Sequence, residues 1–292
     1  MVSFGMAFRT LISTAALAMH CEDPAFVIVD CRFKLDDLAW GAREFGAGHI
    51  PGAVYADLTT DLSGPKSGSN GRHPLPDPQA LVQTFGRLGI ANGVQVVAYD
   101  QENGMFASRL WWLLRWLGHD AVAVLDGGFK KWTAEGRPTA SGEASPAPRV
   151  FTGSPRTEMA IDVQTVAAHL GGGPRLVDAR APERYRGDSE PIDKVGGHIP
   201  GANNHFFQWN LDEQGLFRTP EELRAKISDS TGGLPADQIV CYCGSGVTAC
   251  HNLLAFEHAG LSGAKLYAGS WSEWSSDPAR PVEKGSRILP IG

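Results

Sequence analysis

The chain repeats itself, and this constrains its fold more than any other feature. "VIVDCR" at residues 27–32 returns as "RLVDAR" at 175–180, and "GHIPGA" stands at 48–53 and again at 197–202. "VAYD" at 97–100 parallels "CYC" at 241–243, and "DGGFKKW" at 126–132 parallels "AGSWSEW" at 268–274. The pairs keep one order and one offset of about 145 residues, so each half is a copy of one unit.

Within each copy, short β-branched and aromatic runs alternate with segments of helical spacing. Strands are expected at 27–31, 94–99 and 121–125, with counterparts at 175–178, 238–242 and 264–267, and a further strand after each GHIPGA turn. Helices are expected at 77–88 and 105–117, and at 219–228 and 248–259. The alternation specifies an α/β fold: two tandem domains, each a mainly parallel sheet flanked by helices, with ligands gathering at the strands' carboxyl ends. Between the copies, residues 136–159 are rich in Pro, Ser, Gly and Ala and read as an extended linker, long enough to wrap over the domains. The expected organisation is an N-terminal domain over 1–140, a linker over 141–159 and a C-terminal domain over 160–292.

The repeat also settles the reading of the N-terminus. An arginine ahead of the apolar "TLISTAALAM" at 10–19 has the look of a secretory signal. The second copy carries "IDVQTVAAHL" at the same place, so the stretch reads as the first helix of the repeat and the expected compartment is the cytoplasm. Five cysteines in 292 residues suit a reducing compartment better than a disulfide scaffold. A net charge of −6 without a long basic run argues against nucleic acid or an anionic membrane as the main partner.

The chemistry concentrates in "IVCYCGSGVTACHNLLAFEHAG", 239–260. Cys243 ends a strand and a helix follows at once. Gly244 and Gly246 permit positive φ, so successive N–H groups can converge at a helix N-terminus, where the dipole favours negative charge. Such a pocket stabilises a thiolate and marks Cys243 as a nucleophile. Cys241, within the strand, and Cys250, on the helix, read as small buried hydrophobes. Three cysteines so close suggest zinc, but no second Cys-x-x-Cys pair is present, so no metal is expected. A cysteine phosphatase needs an arginine six residues after its nucleophile, and here that residue is Ala249. In the first copy Asp100 stands opposite Cys243, so the thiol nucleophile is missing there and that half is expected to be catalytically inert. The "RLWWLLRWLG" segment at 109–118 reads as core and interdomain packing.

Together, the two GHIPGA turns, "LDGGFKKW", the cysteine loop and "GSWSEW" resemble the tandem rhodanese-type sulfurtransferases over essentially the whole chain. The loop "CGSGVT" at 243–248, with Ser245, Val247 and Thr248, is similar to that of the 3-mercaptopyruvate-using members, whereas thiosulfate-specialised members carry basic residues there. The resemblance implies a Cys243 persulfide that takes sulfur from mercaptopyruvate, releases pyruvate, and yields the sulfur to a thiol, a thioredoxin-like dithiol or cyanide, without a cofactor. Ser245 would supply a hydroxyl for hydrogen bonding or proton relay, His73 in "GRHPLP" would handle protons across the interdomain cleft, and Arg186 in "RYRG" would pair with the donor carboxylate. A second family arginine is replaced by Ile192, and Lys194 is the expected substitute; an acidic residue expected shortly after Asp57 corresponds to Thr59. Thiosulfate as donor, and a noncatalytic persulfide carrier, are the alternatives.

Overall fold

The computed structural model describes residues 7–144 and 146–286. The chain divides into two compact units. The first holds the residues up to Gly64 and Pro76–Arg156; the second holds Pro65–Leu75 and the residues from Thr157. The short Pro65–Leu75 segment thus leaves the N-terminal half of the sequence and packs with the C-terminal half.

The first unit contains strands β1 (Leu11–Ile12), β2 (Phe26–Asp30), β3 (Val54–Tyr55), β4 (Gln95–Tyr99) and β5 (Val122–Leu125), with helices α1 (Thr14–Ala18), α2 (Trp40–Ala47), α3 (Pro78–Arg87), α4 (Ala107–Trp116) and α5 (Gly128–Ala134). The second contains β6 (Ala160–Ile161), β7 (Arg175–Asp178), β8 (Asn203–Asn204), β9 (Ile239–Tyr242) and β10 (Lys265–Tyr267), with α6 (Val163–Ala168), α7 (Pro182–Arg186), α8 (Pro220–Thr231), α9 (Thr248–His258) and α10 (Ser270–Trp274). The sheets run β1-β5-β4-β2-β3 and β6-β10-β9-β7-β8, with every pairing parallel. The sequence repeat is therefore a repeat of topology.

The stretch expected to be the first helix of each copy is instead a two-residue strand followed by a short helix. The cap explains the break. Ser13 and Asp162 accept the N–H groups of Ala16 and Thr165, which fixes the helix start there and leaves the preceding residues extended, to pair with β5 and β10. The Pro-rich stretch after α5 lies on the first unit: Arg149 N–H donates to Gly86 O (2.9 Å), Phe151 meets Phe85 edge to face, and Arg156 forms a fork with Asp120.

Two features position a site. From β7 the chain goes to β8 on one side and then to β9 on the other, so the connections diverge above the carboxyl ends of β7 and β9, which is where open parallel sheets bind ligands. Beneath that crevice is a dry core, with Tyr242, Tyr267, Trp271 and Trp274 all buried. Fully burying a side chain of this size removes about 1.5–3 kcal/mol of unfavourable hydration, so the strand ends above it are rigidly held.

Candidate active site

Cys243 follows β9 at that crevice and is 2% exposed. The N–H groups of Ser245 and Gly246 donate to its Sγ at 3.4 and 3.1 Å, so the loop turns two donors onto the sulfur. Gly246 has φ +77°, and a Cβ there would collide with the carbonyl oxygen of Ala268. The turn is thus reserved for glycine. Helix α9 starts at Thr248, and Val247, its cap residue, offers no side-chain acceptor, so the helix's positive end stays on the loop side.

The loop is pinned from behind by α10. Cys243 N–H donates to Ser270 Oγ (3.1 Å), and the Ser270 hydroxyl donates onward to Tyr267 O (2.9 Å). Trp271 N–H reaches Cys243 O (2.9 Å) and Ser272 N–H reaches Gly244 O (3.0 Å). Among the described residues Ser270 is the one non-glycine at positive φ, 56°, a conformation that costs about 1 kcal/mol and marks a position fixed by its surroundings.

His73 and Ser245 are brought together: Nδ1 lies 2.9 Å from Oγ, with both residues buried. His73 belongs to the Pro65–Leu75 segment, so this contact is internal to the second unit. Cys250 donates its thiol to Gly246 O (3.2 Å) and Cys241 is fully buried, its thiol pushed up by burial, which fits structural roles for both.

The arginines are placed differently from the sequence reading. Arg186 bonds Asp188 (Nε to Oδ2, 2.6 Å) and lines a separate hollow with Pro182, Asn203 and Trp209. On α7 two residues turn the side chain by about 200°, so Arg184 points the other way. A Cβ on Gly244 would lie 3.5 Å from Arg184 Nη2 and 2.8 Å from Arg72 Nη2: these two guanidiniums sit at the cysteine loop, and Gly244 is the residue that leaves them room. Lys194 and Ile192 are exposed. Thr59, whose N–H donates to Asp57 Oδ1 (2.8 Å), lies in the first unit.

Two acids organise the arginines. Glu190 accepts Arg184 Nε and Nη2 at 3.0 and 2.7 Å and Arg180 Nη1 at 3.2 Å. Asp193 pairs with Arg72 Nη1 and, at 3.4 Å, with Arg184 Nη2; burial pushes its carboxyl up despite Arg72 and Arg184. Arg72, Arg184, Asp193 and Ser270 are absent from the sequence reading. Arg72 is the neighbour of His73 in a motif already singled out, Arg184 lies within "RYRG" and Ser270 within "AGSWSEW", so a signal existed for all three; Asp193, between Ile192 and Lys194, carried none of its own. Among the described residues no group of three or more His, Cys, Asp and Glu is placed to hold a metal ion, and no helix is long and apolar enough to cross a membrane.

Comparison with known proteins identifies the repeated unit. The rhodanese-like domain model matches residues 13–135 and again 162–277. The "Probable 3-mercaptopyruvate sulfurtransferase" of Pseudomonas aeruginosa is 49% identical over 96% of this chain and 100% of its own length. The thiosulfate sulfurtransferase of Cricetulus griseus is 34% identical over 95% of this chain and 96% of its own. Among solved structures, the 3-mercaptopyruvate sulfurtransferase from Leishmania major is similar with a TM-score of 0.81 and 32% identity, covering 91% of this chain and 74% of that one.

Proposed function

This chain belongs to the rhodanese-like family of sulfurtransferases, and from that membership we propose that it carries sulfur from 3-mercaptopyruvate, through a persulfide on Cys243, to a thiol, a thioredoxin-like dithiol or cyanide. The Cys243 thiolate attacks the donor sulfur, an S–S bond forms and the C–S bond breaks. The electron pair left on the donor carbon gives the enolate of pyruvate, which a proton converts to pyruvate. Ser245 and His73 relay that proton, a role supported by their 2.9 Å contact. In the second half-reaction an acceptor thiolate takes the outer sulfur and the Cys243 thiolate is regenerated. Arg184 and Arg72 hold the donor carboxylate in place of Arg186, since it is their guanidiniums that lie beside Gly244. The first unit takes no part in the chemistry, and a cytoplasmic setting is supported by five free cysteines.

The observation that carries this reading is the pair of N–H groups trained on Cys243 Sγ. They stabilise a negatively charged sulfur before and after transfer. Pyruvate release from mercaptopyruvate over many turnovers, with one added sulfur on Cys243 by mass spectrometry, tests it; one sulfur taken up per chain without turnover would make the protein a carrier. Thiosulfate is a second donor to test, because two guanidiniums at the loop suit a dianion.

A further inference from the structure

Asp193 occupies the arginine pair to which the proposed function assigns the donor's anion. Its carboxylate pairs with both arginines of the cysteine loop, Arg72 and Arg184, and its side chain is only 8% exposed. Arg72 Nε is buried and, among the described residues, has no hydrogen-bond acceptor. Arg72 therefore presents one donor to Asp193 and keeps another for something else.

Resting on the sulfur-transfer reading, we propose that Asp193 is a built-in competitor for the donor's anionic group, occupying the arginine pair until the donor displaces it, and that it thereby sets the preference between singly and doubly charged donors. Three features support this. The carboxylate is held at a disadvantage, because burial outweighs the pull of Arg72 and Arg184, so it gives up little by leaving. The segment carrying it, between α7 and β8, has no helix or strand, and its neighbours Ile192 and Val195 are exposed, so there is solvent for the side chain to turn into. Its backbone is tied down, with Asp193 N–H donating to Glu190 Oε1 (3.1 Å), so displacement needs only a side-chain rotation. Glu190 is no competitor of the same kind, since it is shared between Arg184 and Arg180 and accepts two backbone N–H groups besides. With Asp193 in place, the loop offers a donor less than the full positive charge of two arginines. Removing its charge should favour thiosulfate, with two negative charges, more than mercaptopyruvate with one.

The test is Asp193→Asn in the full-length chain, which keeps the shape and removes the charge. Calorimetric titration with pyruvate and with sulfate, a monoanion and a dianion with no sulfur to transfer, is expected to show binding about tenfold tighter than in wild type, the effect of freeing one charge-assisted contact. KM for both donors should fall with kcat unchanged, and the thiosulfate to mercaptopyruvate ratio of kcat/KM should rise. Weaker or unchanged anion binding would overturn the proposal, making Asp193 an organiser that holds the arginines in place. Asp193→Ser serves the same comparison should the Asn variant melt early. The titration needs no turnover, so a wild type that released no pyruvate would defeat the sulfur-transfer reading while the binding result still decided the part played by Asp193.

Discussion

Asp100 and Cys243 hold the same place in their units. Each follows the central strand, each precedes the most buried helix, and each gives its carbonyl to the first turn of the next short helix: Phe129 N–H to Asp100 O and Trp271 N–H to Cys243 O, both 2.9 Å. The loops differ in what their N–H groups hold. Asp100 folds its own carboxylate into the nest, with Oδ1 accepting from Glu102 (3.2 Å) and Gly104 (3.0 Å) and Oδ2 from Phe106 (2.8 Å) and Ala107 (3.2 Å). Burial pushes that carboxyl up while the four N–H groups pull it back. The second loop points two N–H groups at a sulfur atom and leaves its helix end uncapped by any side chain. One fold thus makes the same anion cradle twice: the first is filled by the chain's own carboxylate, the second by the sulfur of the proposed nucleophile.

Exchanging the residues in the cradle should break this contrast most sharply. Cys243→Ser is expected to lower sulfur transfer more than about a thousandfold, since a hydroxyl cannot form the persulfide. Asp100→Ala should leave transfer intact and instead destabilise the first unit by about 3 kcal/mol, because buried N–H groups lose their acceptor. Initial rates and denaturant midpoints read the two effects, and a large rate loss in the Asp100 variant would show that the first loop is not a structural copy.

Next in size is the proposed proton relay, which has no counterpart bonded to Asp100 among the described residues. His73→Ala and Ser245→Ala should each lower kcat by about 10²-fold, with KM little changed. The double variant should be no worse than the worse single one if the two residues act as a unit. Additive losses would separate them.

How far the sequence could be read follows the same division. Except at the opening stretch, where both copies read as one helix and both form a two-residue strand before a capped short helix, features present in both copies were legible, because repetition gives two readings of one physical demand. The Asp-x-Arg of each first motif illustrates this. Asp30 and Asp178 anchor Arg32 and Arg180, whose Nη2 groups bond Gly48 O and Gly197 O, both at 2.7 Å. In GHIPGA, His49 and His198 bond the carbonyls of Phe45 and Tyr185, both at 2.8 Å. These recurring motifs are scaffold. What belongs to one copy alone had to be found by chemistry, and Cys243 was legible because its loop type is informative by itself. The choice between Arg184 and Arg186 was not, since it depends on the phase of a five-residue helix that spacing cannot fix.

That choice gives the third expectation. Arg184→Ala should raise KM for anionic donors about tenfold, whereas Arg186→Ala, which breaks a half-exposed pair with Asp188, should change it less than about twofold. The reverse ranking would mean that α7 turns its other face to the donor.

The smallest effect probes how the two loops are fastened. Gly128 and Ser270 occupy equivalent positions and share left-handed φ, 58° and 56°. In the first unit a Cβ would lie 2.7 Å from Asp100 O, so glycine is required there; in the second, serine bears the strain and its hydroxyl holds Cys243 N–H. Ser270→Gly relieves about 1 kcal/mol of backbone strain and forfeits both hydrogen bonds of the hydroxyl, to Cys243 N–H and Tyr267 O, each worth about 1 kcal/mol, so it should be about 1 kcal/mol less stable than wild type. Ser270→Ala keeps the strain and forfeits both bonds, and should be about 2 kcal/mol less stable than wild type. Both should lower kcat only a few-fold, through looser placement of Cys243. Equal rates in wild type and the Gly variant would reduce the hydroxyl to a space filler, leaving the nucleophile and its relay as the working differences between the loops. A rate loss shared by the Gly and Ala variants, with stability falling further in Ala, would assign the hydroxyl to positioning and the strain to the scaffold.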